Sequence, residues 1–353
     1  METLSSASNY SALDRFLHHL ALGNLELQKS IADMEDRMHA ATLRRIVIEQ
    51  PVFITSLPRA GTTLLLELLV GTGAFAAHTY REMPFVLCPM IWKSVSGGFR
   101  RKASLHERAH GDGVKVGYDS PEAFEEVIWK AFWPQKYQPA RIGIWSQADR
   151  NAEFEAAFRD HMRKLVALRT DRGTTKRYVS KNNANIARLP LLAALFPDSA
   201  IIIPFRDPAA HAASIARQHA NFLSLHARDA FARKYMEWIG HYEFGQAFRP
   251  FAFCGARPEC EPDMEYWLEY WVRAYTFVLD TAPRQAVFLD YDRLLDSSKA
   301  VFERLAAVLG IPADTLSNAA ERLRAPAQLS TIPEARWSPP VRDTYDRLRE
   351  RAI

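Results

Sequence analysis

The sequence predicts an α/β fold with a central, mostly parallel sheet flanked by helices. Two short apolar runs, at 52–54 and 201–203, carry this prediction, because each is followed by a turn and then by a run of helical character. The second run consists of three consecutive isoleucines, which is typical of a strand buried on both faces. At 353 residues, 48% of them hydrophobic, the chain can bury one large core of this kind.

The two ends of the chain are expected to belong to the same domain, 1–353. Segment 1–45 is predicted to be helical, and its apolar residues at helical spacing predict a face that packs on the core or on a partner (Leu13, Phe16, Leu17 and Leu20). Segment 313–353 is rich in proline and arginine, and we expect it to wrap around the surface.

The loop after the first apolar run is the most informative part of the sequence. Strand, tight turn and helix follow one another there, which directs the free N–H groups of a helix N-terminus at the loop. Gly61 allows close backbone approach, Thr62 and Thr63 supply hydroxyl groups, and Arg59 supplies a guanidinium. The loop therefore predicts an oxyanion site.

Two common nucleotide-binding loops are excluded by the residue pattern. A nucleoside triphosphate loop needs Gly-Lys-Ser/Thr, but the basic residue here precedes the glycine. A dinucleotide loop needs three glycines in the order Gly-x-Gly-x-x-Gly, which this loop lacks.

A second anion-binding element follows the isoleucine run. Asp207 is a predicted N-cap and Pro208 a predicted first helical residue, so a helix is expected to begin there. Arg206 then lies at the carboxyl end of a strand, where open α/β sheets bind ligands, and Ser214 lies two turns into the helix.

These elements together resemble the sulfotransferases, and the Pro-Arg-x-Gly-Thr-Thr pattern resembles the bacterial, stand-alone branch of that family. Pro58 to Leu64 resembles the 5′-phosphosulfate loop of that family, and Arg206-Asp-Pro with Ser214 resembles its 3′-phosphate element. Segments 286–295 and 308–312 resemble its late strand and helix. The resemblance implies a P-loop-like sulfotransferase fold and 3′-phosphoadenosine 5′-phosphosulfate as co-substrate. The residues implied to bind it are Arg59, Ala60, Gly61, Thr62, Thr63, Leu64, Arg206 and Ser214.

The resemblance also implies catalytic roles. Arg59 is expected to stabilise the leaving phosphate, and Glu82 is expected to be the general base, with His78 and Lys181 as alternatives. Where some relatives carry Lys-x-His, this chain has asparagine at position 183, which favours Glu82. We expect no metal requirement; His106, His110 and Asp112 form only a weak metal pattern.

Composition limits the partners. A net charge of +4 suits an anionic co-substrate but is too small for a nucleic-acid binder. Three cysteines without metal spacing, no leader sequence and no long apolar run predict a cytoplasmic protein without a transmembrane segment.

Other functional questions stay open at the level of sequence. The acceptor is expected to be a small molecule, a glycan or a lipid, and neither its identity nor the oligomeric state can be read from the residues. The alternatives to sulfuryl transfer are a nucleotide-dependent kinase of related fold and an inactive scaffold that binds the co-substrate. The acidic run from Glu122 to Glu126, with Trp129 and Trp133, predicts a solvated helix face with a packed aromatic side, and the alternative is that it lines an acceptor groove.

Overall fold

The computed structural model describes residues 11–96, 106–107, 115–116, 120–170, 176–255, 261–296, 298–320 and 334–353. Its helices are α1 (Ala12–Leu22), α2 (Leu25–Met38), α3 (Ala40–Leu43), α4 (Thr62–Gly71), α5 (Pro89–Val95), α6 (Glu126–Phe132), α7 (Ala152–Arg169), α8 (Leu189–Leu195), α9 (Pro208–Arg228), α10 (Ala230–Ile239), α11 (Met264–Thr281), α12 (Tyr291–Asp296), α13 (Ser298–Leu309), α14 (Ala313–Ala320) and α15 (Pro339–Glu350). Its strands are β1 (Val52–Ile54), β2 (Phe75–Ala76), β3 (His106–Glu107), β4 (Lys115–Val116), β5 (Arg177–Lys181), β6 (Ala200–Phe205) and β7 (Ala286–Asp290).

The central sheet has five parallel strands in the order β2-β5-β1-β6-β7. Val52 at the start of β1 pairs with Val179 of β5 on one side and with Ala200 of β6 on the other. β3 and β4 form a separate antiparallel pair. The predicted α/β fold with a mostly parallel sheet is confirmed.

Alternating strand residues face two hydrophobic layers. Ile201 and Ile203 of β6 pack on the side of α7, α8, α9 and α11, whereas Ile202 packs with Val52 on the side of α4, α13 and α14. All three isoleucines are fully buried. Helices on both faces explain why these strands read as continuous apolar runs rather than as an alternating pattern.

The order of the strands creates a crevice between β1 and β6. These two strands are neighbours in the sheet, yet the chain leaves β1 toward the β2 edge and leaves β6 toward the β7 edge. Open α/β sheets bind ligands outside the carboxyl ends of strands where the order reverses in this way. The segments that follow β1 and β6 are those that the sequence marks as anion-binding.

The N-terminal helices only partly match the prediction. α1, α2 and α3 lie in the predicted helical segment, but Leu13, Phe16 and Leu20 are 51%, 61% and 40% exposed. The prediction that these residues pack on the core of their own chain is wrong. The buried face of α1 instead contains Ala21 and Leu22. The spacing identifies residues that share a helix face, but it does not say which face the rest of the fold covers.

The C-terminal residues pack along the last strand. Tyr345 and Leu348 of α15 are buried in the layer that contains α11. The backbone N–H of Ile353 donates to the carbonyl of Phe288 in β7 at 3.1 Å. Among the described helices, none has a stretch that is both long enough and apolar enough to cross a bilayer.

Candidate active site

The loop after β1 is fixed by buried hydrogen bonds. The hydroxyl of Ser56 donates to the carbonyl of Pro204 at 2.6 Å and lies 2.7 Å from the hydroxyl of Tyr275. Arg59 has a φ of +74°, in the left-handed region that non-glycine residues seldom adopt. Such a conformation persists where its surroundings fix it, and it often marks a functional site.

His211 also holds this loop in place through a hydrogen bond. Its Nε2 lies 2.8 Å from the carbonyl of Pro58, and the indole Nε1–H of Trp271 donates to its Nδ1 at 3.2 Å. Burial, assisted by the nearby charge of Arg206, lowers the pKa of His211 to about 3. The ring is therefore neutral at pH 7, and it donates from Nε2 while accepting at Nδ1.

The two predicted anion-binding elements meet at the crevice. One guanidinium nitrogen of Arg206, Nη1, donates to the carbonyl of Arg59 at 3.2 Å. The Nε of Arg59 lies 3.5 Å from the hydroxyl of Ser214 on α9. The helix start was predicted correctly, because the side chain of Asp207 caps α9 by accepting from the N–H of Ala210 at 2.7 Å.

Arg206 combines deep burial with an unpaired donor atom. Its side chain is only 7% exposed, and its Nε is buried without a hydrogen-bond partner. Leaving a buried charged donor unpaired is costly, so such an atom in a native structure calls for a partner. An anionic group has the chemistry to pair with this nitrogen.

The remaining residues of the predicted loop divide between core and crevice. Thr62 begins α4 and is buried, as is Ala60, whereas Thr63 is half-buried. Leu64 packs against the core on the α4 side of the sheet. Of these, only the backbone groups and hydroxyls near the helix start have the chemistry to bind phosphate.

A third element, at the end of β7, joins the two anion-binding segments. A Cβ atom at Gly61 would lie 2.3 Å from Cε2 of Tyr291, so the glycine is required for this close approach. The guanidinium of Arg206 lies over the same tyrosine ring, 5.4 Å from its centroid. The carboxylate of Asp292 accepts from the backbone N–H of Asp207 at 2.7 Å. The stretch 286–295, which resembles the late strand of the sulfotransferases, contains both Tyr291 and Asp292, but the sequence alone assigns no role to either residue.

Lys181 and Asn183 extend the site beyond the loop. Lys181 ends β5, the neighbour of β1, and is 8% exposed. The hydroxyl of Thr62 donates to the side-chain oxygen of Asn183 at 3.4 Å, and the amide of Asn183 donates to a carboxylate oxygen of Glu243 at 3.2 Å. A small cavity opens here, with both charged and aromatic residues in its wall; it is lined by Ala123, Ile142, Lys181, Asn182, Asn183, Ala184, Gly240, His241, Tyr242, Glu243, Arg249, Phe251 and Tyr270.

Glu82, the predicted base, is engaged in a structural contact. One carboxylate oxygen pairs with the guanidinium of Arg169 at 2.5 Å, and the other accepts from the N–H of Thr79 at 2.5 Å. Glu82 is 3% exposed. Arg169 ends α7, which leads into the amino end of β5, whereas the anion-binding loop follows the carboxyl end of β1. The role of Glu82 as a base stays a prediction.

His78, the first alternative, is also enclosed. It is 2% exposed, and its Nε2 lies 2.9 Å from the Nε2 of His161 in α7. Burial, reinforced by the charge of Arg169, lowers the pKa of His78 to about 3. A ring with this pKa binds protons too weakly to be an effective base near neutral pH.

The acidic run before and within α6 is buried, so the prediction of a solvated face is wrong. Glu122, Glu125 and Glu126 are 7%, 0% and 2% exposed. Their carboxylates have partners far along the chain: Tyr80, Tyr137, Tyr178, Asn182, Asn185 and Arg188. The bonds to Asn182, Asn185 and Arg188 connect α6 to the segment that follows Lys181 at the end of β5 and contains Asn183.

The weak metal pattern cannot be assessed, because His110 and Asp112 lie outside the described residues and the structure gives only the backbone of His106. Within the described part of the chain, no group of three or more His, Cys, Asp or Glu side chains is placed to hold a metal ion. Cys88 and Cys254 are buried free thiols.

A parallel sheet with an anion-binding loop after its central strand is the architecture of P-loop-like transferases. The profile of the sulfotransferase family matches residues 51–315. The chain therefore belongs to the sulfotransferase family, and the resemblance seen in the sequence is confirmed.

A solved structure with a TM-score of 0.50 agrees with this fold. The chain is similar to sulfotransferase STF9 from Mycobacterium avium, with a TM-score of 0.50 and 14% identity, over 98% of this chain and 86% of that one. It is also similar to sulfotransferase STF1 from Mycobacterium tuberculosis H37Rv, with a TM-score of 0.49 and 14% identity, over 97% of this chain and 87% of that one. At 14% identity, the likeness to STF9 shows the fold alone. No curated protein matches the sequence.

Proposed function

We propose that this protein transfers a sulfuryl group from 3′-phosphoadenosine 5′-phosphosulfate to a hydroxyl or amine of a small-molecule, glycan or lipid acceptor. The observation that carries the proposal is the meeting of Arg59, Arg206 and Ser214 at the crevice between β1 and β6. Two cationic side chains and a hydroxyl, delivered by two segments, suit a ligand with two separate anionic groups.

The residues present fit such a ligand. The buried Nε of Arg206 without a partner is suited to a 3′-phosphate, with the hydroxyl of Ser214 beside it. The N-terminus of α4 and the guanidinium of Arg59 are suited to the 5′-phosphate. Tyr291 contacts Gly61 in one segment and Arg206 in the other, and it therefore holds the two segments side by side.

The reaction requires charge stabilisation and removal of a proton. When bound, the co-substrate supplies an activated sulfuryl group. Arg59, held in place by its left-handed backbone, stabilises the charge that collects on the leaving phosphate. The buried loop residues keep water away from that charge, which strengthens its interaction with Arg59.

The transfer also needs a group that removes the proton of the acceptor. Glu82 can accept a proton only by giving up its pairing with Arg169. Lys181 lies at the correct edge of the sheet, but an ammonium must first lose a proton before it can act as a base. The two rival functions, a kinase and an inactive scaffold, are outcomes of the tests below.

Binding of adenosine 3′,5′-bisphosphate tests the co-substrate assignment. By calorimetry the wild-type chain should bind the bisphosphate more tightly than adenosine 5′-monophosphate. Arg206→Ala should weaken bisphosphate binding by about 2 kcal/mol or more, the scale of losing one partner of a buried charge pair, and should change monophosphate binding far less.

Arg217→Ala is the matched control, because Arg217 lies on the same helix but is exposed. Equal losses for both ligands in the Arg206 variant would contradict the 3′-phosphate assignment. Magnesium-dependent phosphoryl transfer would favour the kinase, and tight bisphosphate binding without transfer to any hydroxyl compound would favour the scaffold.

A further inference from the structure

One carboxylate outside the predicted site lies beside it. Glu243 is half-buried and is linked to the start of α4 through a single side chain, Asn183. The amide of Asn183 donates to Glu243 at 3.2 Å, while its oxygen accepts from Thr62 at 3.4 Å. One asparagine side chain therefore separates the carboxylate from the phosphate loop.

The segment that carries Glu243 is held rigidly. The backbone N–H of Gly245 donates to Nδ1 of His219 at 3.3 Å, and that of Gln246 donates to Nδ1 of His226 at 3.2 Å. A Cβ atom at Gly245, where φ is +69°, would lie 2.7 Å from Nδ1 of His226. Both histidines belong to α9, the helix that carries Ser214, so Glu243 is positioned by the same element as the anion site.

Glu243 lies in the wall of the cavity described above. Among the described residues that line the cavity, Glu243 is the one carboxylate, and it shares the wall with Lys181, Arg249 and His241. Arg249 is directed elsewhere, over the ring of Tyr242 at 4.2 Å and to the carbonyl of Tyr137 at 3.2 Å. The carboxylate of Glu243 accepts from a neutral amide, whereas that of Glu82 is paired with the guanidinium of Arg169.

We propose that Glu243 is the general base of the transfer reaction and that this cavity receives the acceptor hydroxyl; the inference rests on the proposed function. Glu243 takes the proton of the hydroxyl while the acceptor oxygen forms its bond to sulfur. The bond between sulfur and the bridging phosphate oxygen breaks at the same time, and its electron pair leaves with the phosphate. Lys181, in the same wall, balances charge at the sulfuryl oxygens.

Glu243→Gln tests the proposal, with Glu82→Gln as the matched variant. Release of adenosine 3′,5′-bisphosphate is measured with water alone, with phenol and with 4-nitrophenol, at a pH above the pKa of 4-nitrophenol and below that of phenol, so that of the three only 4-nitrophenol is mostly ionised. Glu243→Gln should lower release with water and phenol by about 10²–10⁴-fold, the usual contribution of a general base. Release with 4-nitrophenol, which needs no base, should fall much less. Calorimetry should show bisphosphate affinity unchanged, and Glu243→Asp should restore part of the rate.

Each other outcome overturns a defined part of the proposal. Equal losses with phenol and 4-nitrophenol would mean that Glu243 shapes the cavity without accepting a proton. A selective loss in Glu82→Gln instead would assign the base to Glu82. If the wild-type chain neither binds the bisphosphate nor releases it from the co-substrate, the proposed function itself fails.

Discussion

At the scale of single residues, the site depends on backbone conformations that few side chains permit. Arg59 and Gly61 both have positive φ within three residues of each other. Gly61 also lies directly against the ring of Tyr291. The loop is therefore shaped by close contact with another part of the protein, in addition to any demand from a ligand.

Gly61→Ala should destabilise the protein and weaken bisphosphate binding. The added Cβ atom meets the Tyr291 ring at 2.3 Å, and overpacking of this kind costs about 1–3 kcal/mol. Gly73→Ala is a matched control, since Gly73 has a similar φ of +79° but no neighbouring atom within 4 Å. Urea unfolding and calorimetry measure the two effects. Equal losses in the two variants would show that backbone strain, rather than contact with Tyr291, limits position 61.

At the scale of elements, α6 holds the segment after β5 through a buried polar network. Glu126 pairs with Arg188 at 2.9 Å and accepts from the amide of Asn182 at 2.8 Å. The guanidinium of Arg188 lies 4.2 Å from the ring centroids of both Trp129 and Trp145. This network fixes the backbone that carries Lys181 and Asn183, so its integrity matters for the site as well as for stability.

Arg188→Met should lower the free energy of unfolding by about 3–5 kcal/mol, because it leaves the buried Glu126 without its cationic partner. Adding Glu126→Gln should restore part of this loss by removing the unpaired charge. The control is Arg273→Met, which breaks the exposed pair with Glu269 and should cost less than about 1 kcal/mol. Denaturant unfolding measures all three, and similar losses at the two arginines would contradict a buried ion pair.

At the scale of the whole molecule, local signals were readable from the sequence and long-range ones were not. The four residues that begin with Asp207 and Pro208 indicate the start of a helix, and the isoleucine run indicates a buried strand. The position of Arg206, between the strand and the helix, could therefore be predicted. Glu125 is buried because Tyr178 and Asn185, more than fifty residues away, donate to it. Only the folded chain brings such partners together.

The need for long-range contacts also explains why the environment of a candidate base cannot be predicted from the sequence. The prediction of Glu82 as the base rests on its position after the loop, and no residue pattern indicates that Arg169, 87 residues later, pairs with it. Glu243 stands 60 residues beyond Asn183, in an aromatic stretch without a recognisable pattern. Periodicity, likewise, identified the apolar face of α1 but could not show that the fold leaves it exposed.

Stability should fall as the pH drops below about 6.5. His78 and His211 are neutral in the folded state, with pKa values lowered by burial from 6.5 to about 3. The unfolded chain therefore binds more protons between pH 6.5 and 3, and stability present above that window is lost on acidification. At pH 5 each ring should cost about 2 kcal/mol.

The measurement is urea unfolding at pH 7 and pH 5 for the wild-type chain and for His78→Gln. The variant should lose less stability between the two pH values, by about the contribution of one ring. An identical loss in both proteins would show that His78 takes up protons equally in the folded and unfolded states.

Helix α9 contacts two parts of the proposed site. Its first turns hold Asp207 and Ser214 at the crevice, and its later turns anchor the segment of Glu243 through His219 and His226. This helix of 21 residues is about 30 Å long, so it reaches both the proposed donor site and the segment that carries the proposed base. On the proposed assignment, substitutions beyond Glu243 should change which acceptor is used and leave the affinity for adenosine 3′,5′-bisphosphate unchanged.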